Sequence, residues 1–228
     1  MKGELSLSCR DIERYLGEEE SRVHALRGVS LDLESGSTHA VVGPSGCGKC
    51  TLLYILGLLD EPDAGSVEIG ATPVSHLSDE ELARRRNELI GFIFQFHFLM
   101  EDFSAHENVM IPMRRLGQMN ETEMRDRGAA LLESVDLGDK LRRQSRHLSG
   151  GEQQRVAVCR ALITRPAVVL ADEPTGNLDT LIGDEIARSL VSYARSNQAL
   201  VILATHNRAL AKLGDRILIL RGGKLYSV

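Results

Sequence analysis

The segment Gly43-Pro44-Ser45-Gly46-Cys47-Gly48-Lys49-Cys50-Thr51 constrains this chain more than any other stretch. Val41 and Val42 lead into it, and Leu52 and Leu53 follow it. The spacing G-x-x-x-x-G-K asks for a buried strand that turns sharply into a helix. Glycines let the backbone curl so that successive N–H groups point inward. Those amides and the helix N-terminus bind phosphate oxygens. Lys49 adds a positive charge suited to β and γ phosphates. A glycine-rich turn with a chance lysine would lack the strand before it and the helix after it. Residues 43–51 are therefore candidate nucleotide contacts, with Lys49 also a candidate catalytic residue.

One position departs from the pattern. After the lysine, a Ser or Thr hydroxyl is expected to bind Mg²⁺, and here the residue is Cys50. Mg²⁺ favours oxygen, so a thiol is a poor replacement. Thr51 comes next but projects differently from the helix start. Cys47 and Cys50 also form C-x-x-C, a spacing shared with thioredoxin-like redox motifs. Inside a complete phosphate loop, two substituted thiols account for it more simply. Their place at a helix N-terminus is one that can lower a thiol's pKa and make it reactive.

Four short apolar runs read as strands buried on both faces: Thr38–Val42, Val168–Asp172, Leu200–Thr205 and Arg216–Leu220. Two are followed closely by helix-like segments, which gives an α/β fold with a parallel core sheet. Leu5–Glu13 and Val29–Leu33 are expected as antiparallel strands at one edge. Asp79–Asn87 and Glu121–Val135 have helical character. Roughly residues 88–165 are expected to form a mostly helical subdomain inserted into one domain that spans residues 1–228.

Composition excludes some roles. The 228 residues are 43% hydrophobic and 26% charged, enough for a sizeable core. The net charge of −5 argues against a general nucleic-acid binder, so no nucleic-acid partner is expected. No run approaches the roughly 20 apolar residues of a membrane span, and the first twenty residues carry no signal-peptide pattern. The expectation is a cytoplasmic chain whose four cysteines are reduced thiols.

Two further segments carry chemistry. Val168–Leu170 and Ala171 run into Asp172 and Glu173. Asp172 is placed to reach a metal ion and Glu173 to polarise an attacking water. Paired acids at a strand end also commonly cap a helix, and only the phosphate loop tips the reading to catalysis. Leu148-Ser149-Gly150-Gly151-Glu152-Gln153-Gln154-Arg155 can open a helix whose exposed amides bind an anion. Taken alone, Ser-Gly-Gly fits any flexible turn.

Together, GPSGCGKC, LSGGEQQR and VVLADEPTGNLD resemble the Walker A, signature and Walker B motifs of the ATP-binding cassette (ABC) family, and the resemblance spans nearly the whole chain. It implies a P-loop cassette that binds ATP and Mg²⁺. It also implies two copies packed head to tail, each ATP lying between one Walker A loop and the partner copy's signature. It assigns Tyr15 to stacking on adenine, Gln95 to the metal and water, Asp179 to the loop between the copies, and His206 to the γ-phosphate. Ser149, Gly150 and Gly151 would touch the partner's ATP.

The segment Gly91–Pro112, GFIFQFHFLMEDFSAHENVMIP, is similar to the subfamily of lipoprotein-releasing, macrolide-efflux and cell-division ATPases, and fits the lipoprotein-releasing branch best. That resemblance implies membrane-embedded partner subunits and a peripheral position on the cytoplasmic face of the inner membrane. A short helix of such a subunit would dock near Gln95, where Phe94, Phe96, Phe98, Leu99 and Met100 form an apolar cluster. The same cluster would equally serve as helical-subdomain core. Rival readings are drug or peptide efflux, a cell-division scaffold, and a soluble cassette acting on DNA or ribosomes.

Overall fold

A computed structural model describes residues 6–70, 72–75, 77–176, 178 and 180–227. In chain order the elements are β1 (Leu7–Leu16), β2 (Val23–Leu33), β3 (Thr38–Val42), α1 (Lys49–Leu56), β4 (Ala64–Ile69), β5 (Thr72–Pro73), α2 (Asp79–Leu89), β6 (Ile90–Ile93), α3 (Ala105–Leu116), α4 (Glu121–Glu133), α5 (Gly150–Leu162), β7 (Val168–Asp172), α6 (Thr180–Asn197), β8 (Leu200–Thr205), α7 (Arg208–Ala211), β9 (Arg216–Arg221) and β10 (Lys224–Ser227).

Six strands form one sheet in the order β10-β9-β3-β8-β7-β6. All neighbours pair in parallel except β9 and β10. The strands β7 and β8 are buried at every position because both faces are covered. Val168, Leu170, Leu200 and Ile202 point into a core shared with α1 and the antiparallel strands. Val169, Ala171, Val201 and Leu203 point the other way, onto Ile186, Ala187, Leu190 and Ala194 of α6. The two-residue strand period alone separates these cores.

The antiparallel strands β1 and β2, expected at one edge, form with β4 and β5 a sheet of their own, ordered β2-β1-β4-β5, while the antiparallel edge of the parallel sheet is β10. Its inner face, with Leu7, Ile12, Leu26 and Val67, closes over Leu52, Leu53 and Leu56 of α1. This clamp holds the start of α1 in place.

Helices α3, α4 and α5 build a third core from Val109, Met110, Met113, Met124, Leu132, Val156 and Cys159. Ile90–Ile93 falls inside the range read as a helical insertion but is instead the edge strand β6 of the parallel sheet, paired with β7. Four residues are too few to show a strand period in sequence, and their partner lies some 80 positions away. The helical segment therefore begins beyond Ile93.

Candidate functional site

The strand β3 ends at Val42, and the chain turns through Gly43–Gly48 into α1. Gly46 and Gly48 have φ of 75° and 105°, in the left-handed region. A β-carbon on Gly48 would lie 2.7 Å from the Ala25 carbonyl oxygen. No side chain caps α1, so its first amides are left for another acceptor. Lys49 is only 7% exposed. Its Nζ donates to the carbonyls of Gly43 (2.9 Å) and Pro44 (3.2 Å), which holds the ammonium over the loop. Pro44, Ser45 and Gly46 are exposed, and Thr51 is half-buried.

Asp172 ends β7, and 7% of it is exposed. Its Oδ1 is buried without a hydrogen-bond partner. Burial, and secondarily the neighbouring Glu173 charge, raise its pKa, opposed by hydrogen bonding from Cys50 and by the Lys49 charge. A buried, orphaned carboxylate oxygen beside a phosphate loop fits a divalent cation. No three His, Cys, Asp or Glu side chains among the described residues could hold a metal by themselves.

Cys50 stands in the first turn of α1, which packs against β7. Desolvation of the thiol, and then its hydrogen bond to Asp172, push its pKa up to about 12, although the residue as a whole is open to solvent. The acidified thiol that a helix N-terminus can give is therefore not found at Cys50: lost hydration, and then Asp172, raise its pKa. Cys47 is buried, its sulfur turned toward Gly43, where an added β-carbon would meet it at 2.6 Å. All four cysteines are free thiols. Cys9 and Cys159 are also pushed up to about 12 by burial.

Glu173 has φ of 45°, unusual for a residue with a side chain. Its carboxylate is tied on three sides. Oε1 accepts from the His206 backbone N–H (3.0 Å) and from His206 Nδ1 (2.7 Å), so Nδ1 carries the proton. Oε2 accepts from Thr205 Oγ1 at 3.1 Å. Parallel pairing of Asp172 with Ala204 brings these groups together from positions 33 residues apart. Gln95, just beyond β6, joins them: a β-carbon on Gly176 would sit 3.5 Å from Glu173 Cβ and 3.7 Å from Gln95 Nε2. The loop, Asp172, Glu173, Gln95 and His206 thus gather at the carboxyl ends of β3, β6, β7 and β8, where open α/β sheets bind ligands.

Ser149, Gly150 and Gly151 lie elsewhere, at the start of α5. Ser149 Oγ accepts from the Glu152 N–H, and Glu152 accepts from the Ser149 N–H, forming a capping box. Lys140 pairs with Glu152. Gly150 opens onto empty space, and Gly151 rests against Ile182. Tyr15 is half-buried on β1. Its ring stacks on His24 at 4.1 Å, and the Arg22 guanidinium lies 4.3 Å from its centroid. Asp179 lies outside the described residues.

Sequence reasoning missed Gln154 and Arg160. Gln154 is 1% exposed. Its Oε1 accepts from His97 Nδ1 (2.5 Å) and its Nε2 donates to the Pro174 carbonyl (2.8 Å). Arg160 donates to the carbonyls of Phe98 (2.6 Å) and His97 (2.7 Å). Helix α5 is thereby fastened to both the Gln95 loop and the turn after Glu173. Position within the LSGGEQQR run was the only available signal, and it does not say which glutamine turns inward. In the aromatic cluster, Phe96 and Phe98 are each 64% exposed, whereas Leu99 packs onto the helical core. Phe92, Phe94, Phe98, Leu59, Arg86 and Arg160 line a groove of about 520 Å³.

Comparison with known proteins bears on the family. Residues 26–176 match the ABC transporter family. The chain is 43% identical over 219 residues to the lipoprotein-releasing system ATP-binding protein LolD 2 of Caulobacter vibrioides, covering 96% of each chain. It is 41% identical over 222 residues to the lipoprotein-releasing system ATP-binding protein LolD of Pseudomonas fluorescens, covering 97% of each. A solved ATP-binding cassette, a dimer in a post-hydrolysis state bound to ADP and Pi, superposes with a TM-score of 0.92 at 34% identity over 97% of both chains. The chain belongs to the ABC transporter family, as one of its ATP-hydrolysing cassettes.

Proposed function

We propose that this cassette powers the release of lipoproteins from a membrane, working as a homodimer attached to membrane-embedded subunits at the cytoplasmic face of the inner membrane. The observation that carries the catalytic part is the meeting of Lys49, Asp172 and the Glu173–His206 pair at one end of the parallel sheet. The lipoprotein assignment is supported by the names of its relatives. Among the described residues, no helix is long and apolar enough to cross a membrane, so the membrane-spanning part is assigned to partners.

In this reading, the loop amides and Lys49 bind the β and γ phosphates, and Lys49 exchanges its carbonyl partners for phosphate oxygens. Asp172, with Gln95, would hold Mg²⁺, which would neutralise phosphate charge. Glu173 polarises the attacking water once His206 turns from the carboxylate toward the γ-phosphate. Tyr15 stacks on adenine after Arg22 moves aside. Ser149, Gly150 and Gly151 present the start of α5 to the partner copy's ATP, and Asp179 is assigned to contact between the copies by the family resemblance alone. The groove beneath Phe94 and Phe98 receives a helix of the membrane subunit.

The test is reconstitution of the chain with its co-purified membrane subunits in proteoliposomes carrying a labelled lipoprotein. ATP-dependent lipoprotein release is expected. ATP-driven export of a macrolide or peptide without lipoprotein release would replace this reading with efflux. ATP binding that alters the partner without moving any cargo would favour the cell-division type.

A further inference from the structure

We propose that Cys50 supplies a sulfur ligand to the cation that accompanies ATP, so that the site binds a thiophilic divalent ion through sulfur and Mg²⁺ only through an intervening water. This deepens the nucleotide-binding reading and rests on it. Cys50 occupies the first turn of α1, directly after Lys49, with its residue surface open to solvent. Beside the loop, at the end of β7, Asp172 is 7% exposed, and its buried Oδ1 has no protein partner. Helix α1 packs against β7, and the thiol and the carboxylate each bear on the other's protonation. Two donors of different softness therefore stand beside the phosphate loop.

The neighbouring hydroxyl does not replace the thiol. Successive helical residues are about 100° apart around the axis, and Thr51 is half-buried rather than turned out beside Cys50. Since no three metal-binding side chains gather among the described residues, the ion must bring phosphate oxygens with it. Asp172 and Cys50 then complete its shell. Mg²⁺ dehydrates reluctantly, demands near-ideal octahedral geometry and prefers oxygen. A borderline or soft ion such as Zn²⁺ or Cd²⁺ gains from sulfur. On ligation the S–H bond breaks, its proton passes to water, and the sulfur lone pair forms the bond to the cation. No electron is transferred. Cys47 contributes nothing here, because its sulfur is buried toward Gly43.

The experiment uses the full reduced chain, free of reductant, with ATP and either Mg²⁺ or Cd²⁺. Cadmium with ATP should produce an ultraviolet sulfur-to-cadmium charge-transfer band in the parent and in Cys47→Ser, and none in Cys50→Ser or Cys50→Ala. The ratio of ATP affinity in Cd²⁺ to that in Mg²⁺, measured by calorimetry, should fall about tenfold or more in Cys50→Ser, the cost of about 1.4 kcal/mol of lost ligation. Parent protein that binds ATP with Mg²⁺ but shows no band would overturn the sulfur ligand while leaving the nucleotide reading intact. A band that persists in Cys50→Ser would overturn it as well. ATP binding in neither metal would overturn the nucleotide reading, and this proposal with it.

Discussion

At Glu173 the backbone stands at φ of 45°, a conformation that costs a residue with a side chain about 1 kcal/mol or more. Three hydrogen bonds from Thr205 and His206 hold the carboxylate in return. The strain aims Glu173 back toward β8 instead of along the strand direction. In the proposed mechanism this is a resting arrangement in which the base is occupied until ATP draws His206 away. Glu173→Gln preserves the shape and two of the acceptor contacts but removes the proton-accepting charge. It is expected to bind ATP normally, to hydrolyse it about 100-fold more slowly or worse, and to accumulate as a dimer in ATP. Size-exclusion chromatography with and without ATP, alongside a phosphate-release assay, checks this. Hydrolysis at the parent rate would remove Glu173 from the chemistry. The identity of this residue was legible in LADEPTG. Its tether was not, because the partners arrive from another strand and no local pattern encodes which carboxylate oxygen meets which donor.

Helix α5 shows the same division at the level of an element. Ser149 with Glu152 is a spacing that announces a helix start, and a capping box forms there. Nothing near position 152 announces Lys140, which reaches Glu152 from a short 3₁₀ turn. Hydrogen bonding from Lys140, then from the Ser149 backbone, lowers the Glu152 pKa from its ordinary 4.5 to about 2. A carboxylate with a depressed folded-state pKa stabilises the fold above its unfolded value and loses that contribution as pH falls toward the folded value. The window here is about 4.5 down to about 2. Glu152→Gln keeps a side-chain acceptor for the cap but loses the ion pair, so it should lower the melting temperature at pH 7 by the equivalent of roughly 1 kcal/mol. The gap between parent and variant should narrow between pH 4.5 and pH 3. Melting curves by circular dichroism decide it: an unchanged gap at pH 3 would mean that the charge of Glu152 contributes nothing. The helices α2 and α4 were legible from charge and apolar spacing, while β6 was not, since a four-residue strand gets its identity from β7 and not from itself.

Across the whole molecule, β7 and β8 were readable because burial on both faces leaves a nearly unbroken apolar run, and their ends fix where Asp172, Glu173 and His206 stand. The separation of the antiparallel strands into their own sheet was less readable, because alternation says which residues face inward but not against which layer. The exposed aromatic cluster was ambiguous for the opposite reason: Phe and Leu beside Gln95 serve a core and a docking surface equally well until their exposure is known. Leu99 turns into the helical core, and Phe96 and Phe98 stay outside. Phe98 stacks edge-on against Phe94 at 5.4 Å and Phe96 at 6.3 Å, and Arg160 fixes the Phe98 carbonyl from α5. A helix seated in this groove would therefore press on a loop that is bolted both to α5, which begins at Ser149, and through Gln154 to the turn after Glu173. Phe96→Ser separates the two roles of the cluster. Phe96 is 64% exposed, so its removal should change stability by no more than about 0.5 kcal/mol. If the ring is an anchor for the membrane subunit, its loss should cost about 2 kcal/mol of binding, near a thirtyfold fall in affinity. Co-purification of the detergent-solubilised complex measures this directly, with the melting temperature of the isolated chain as the control. A variant that melts like the parent and yet retains full assembly would confine Phe96 to the loop's own packing and move the docking site away from the Gln95 face.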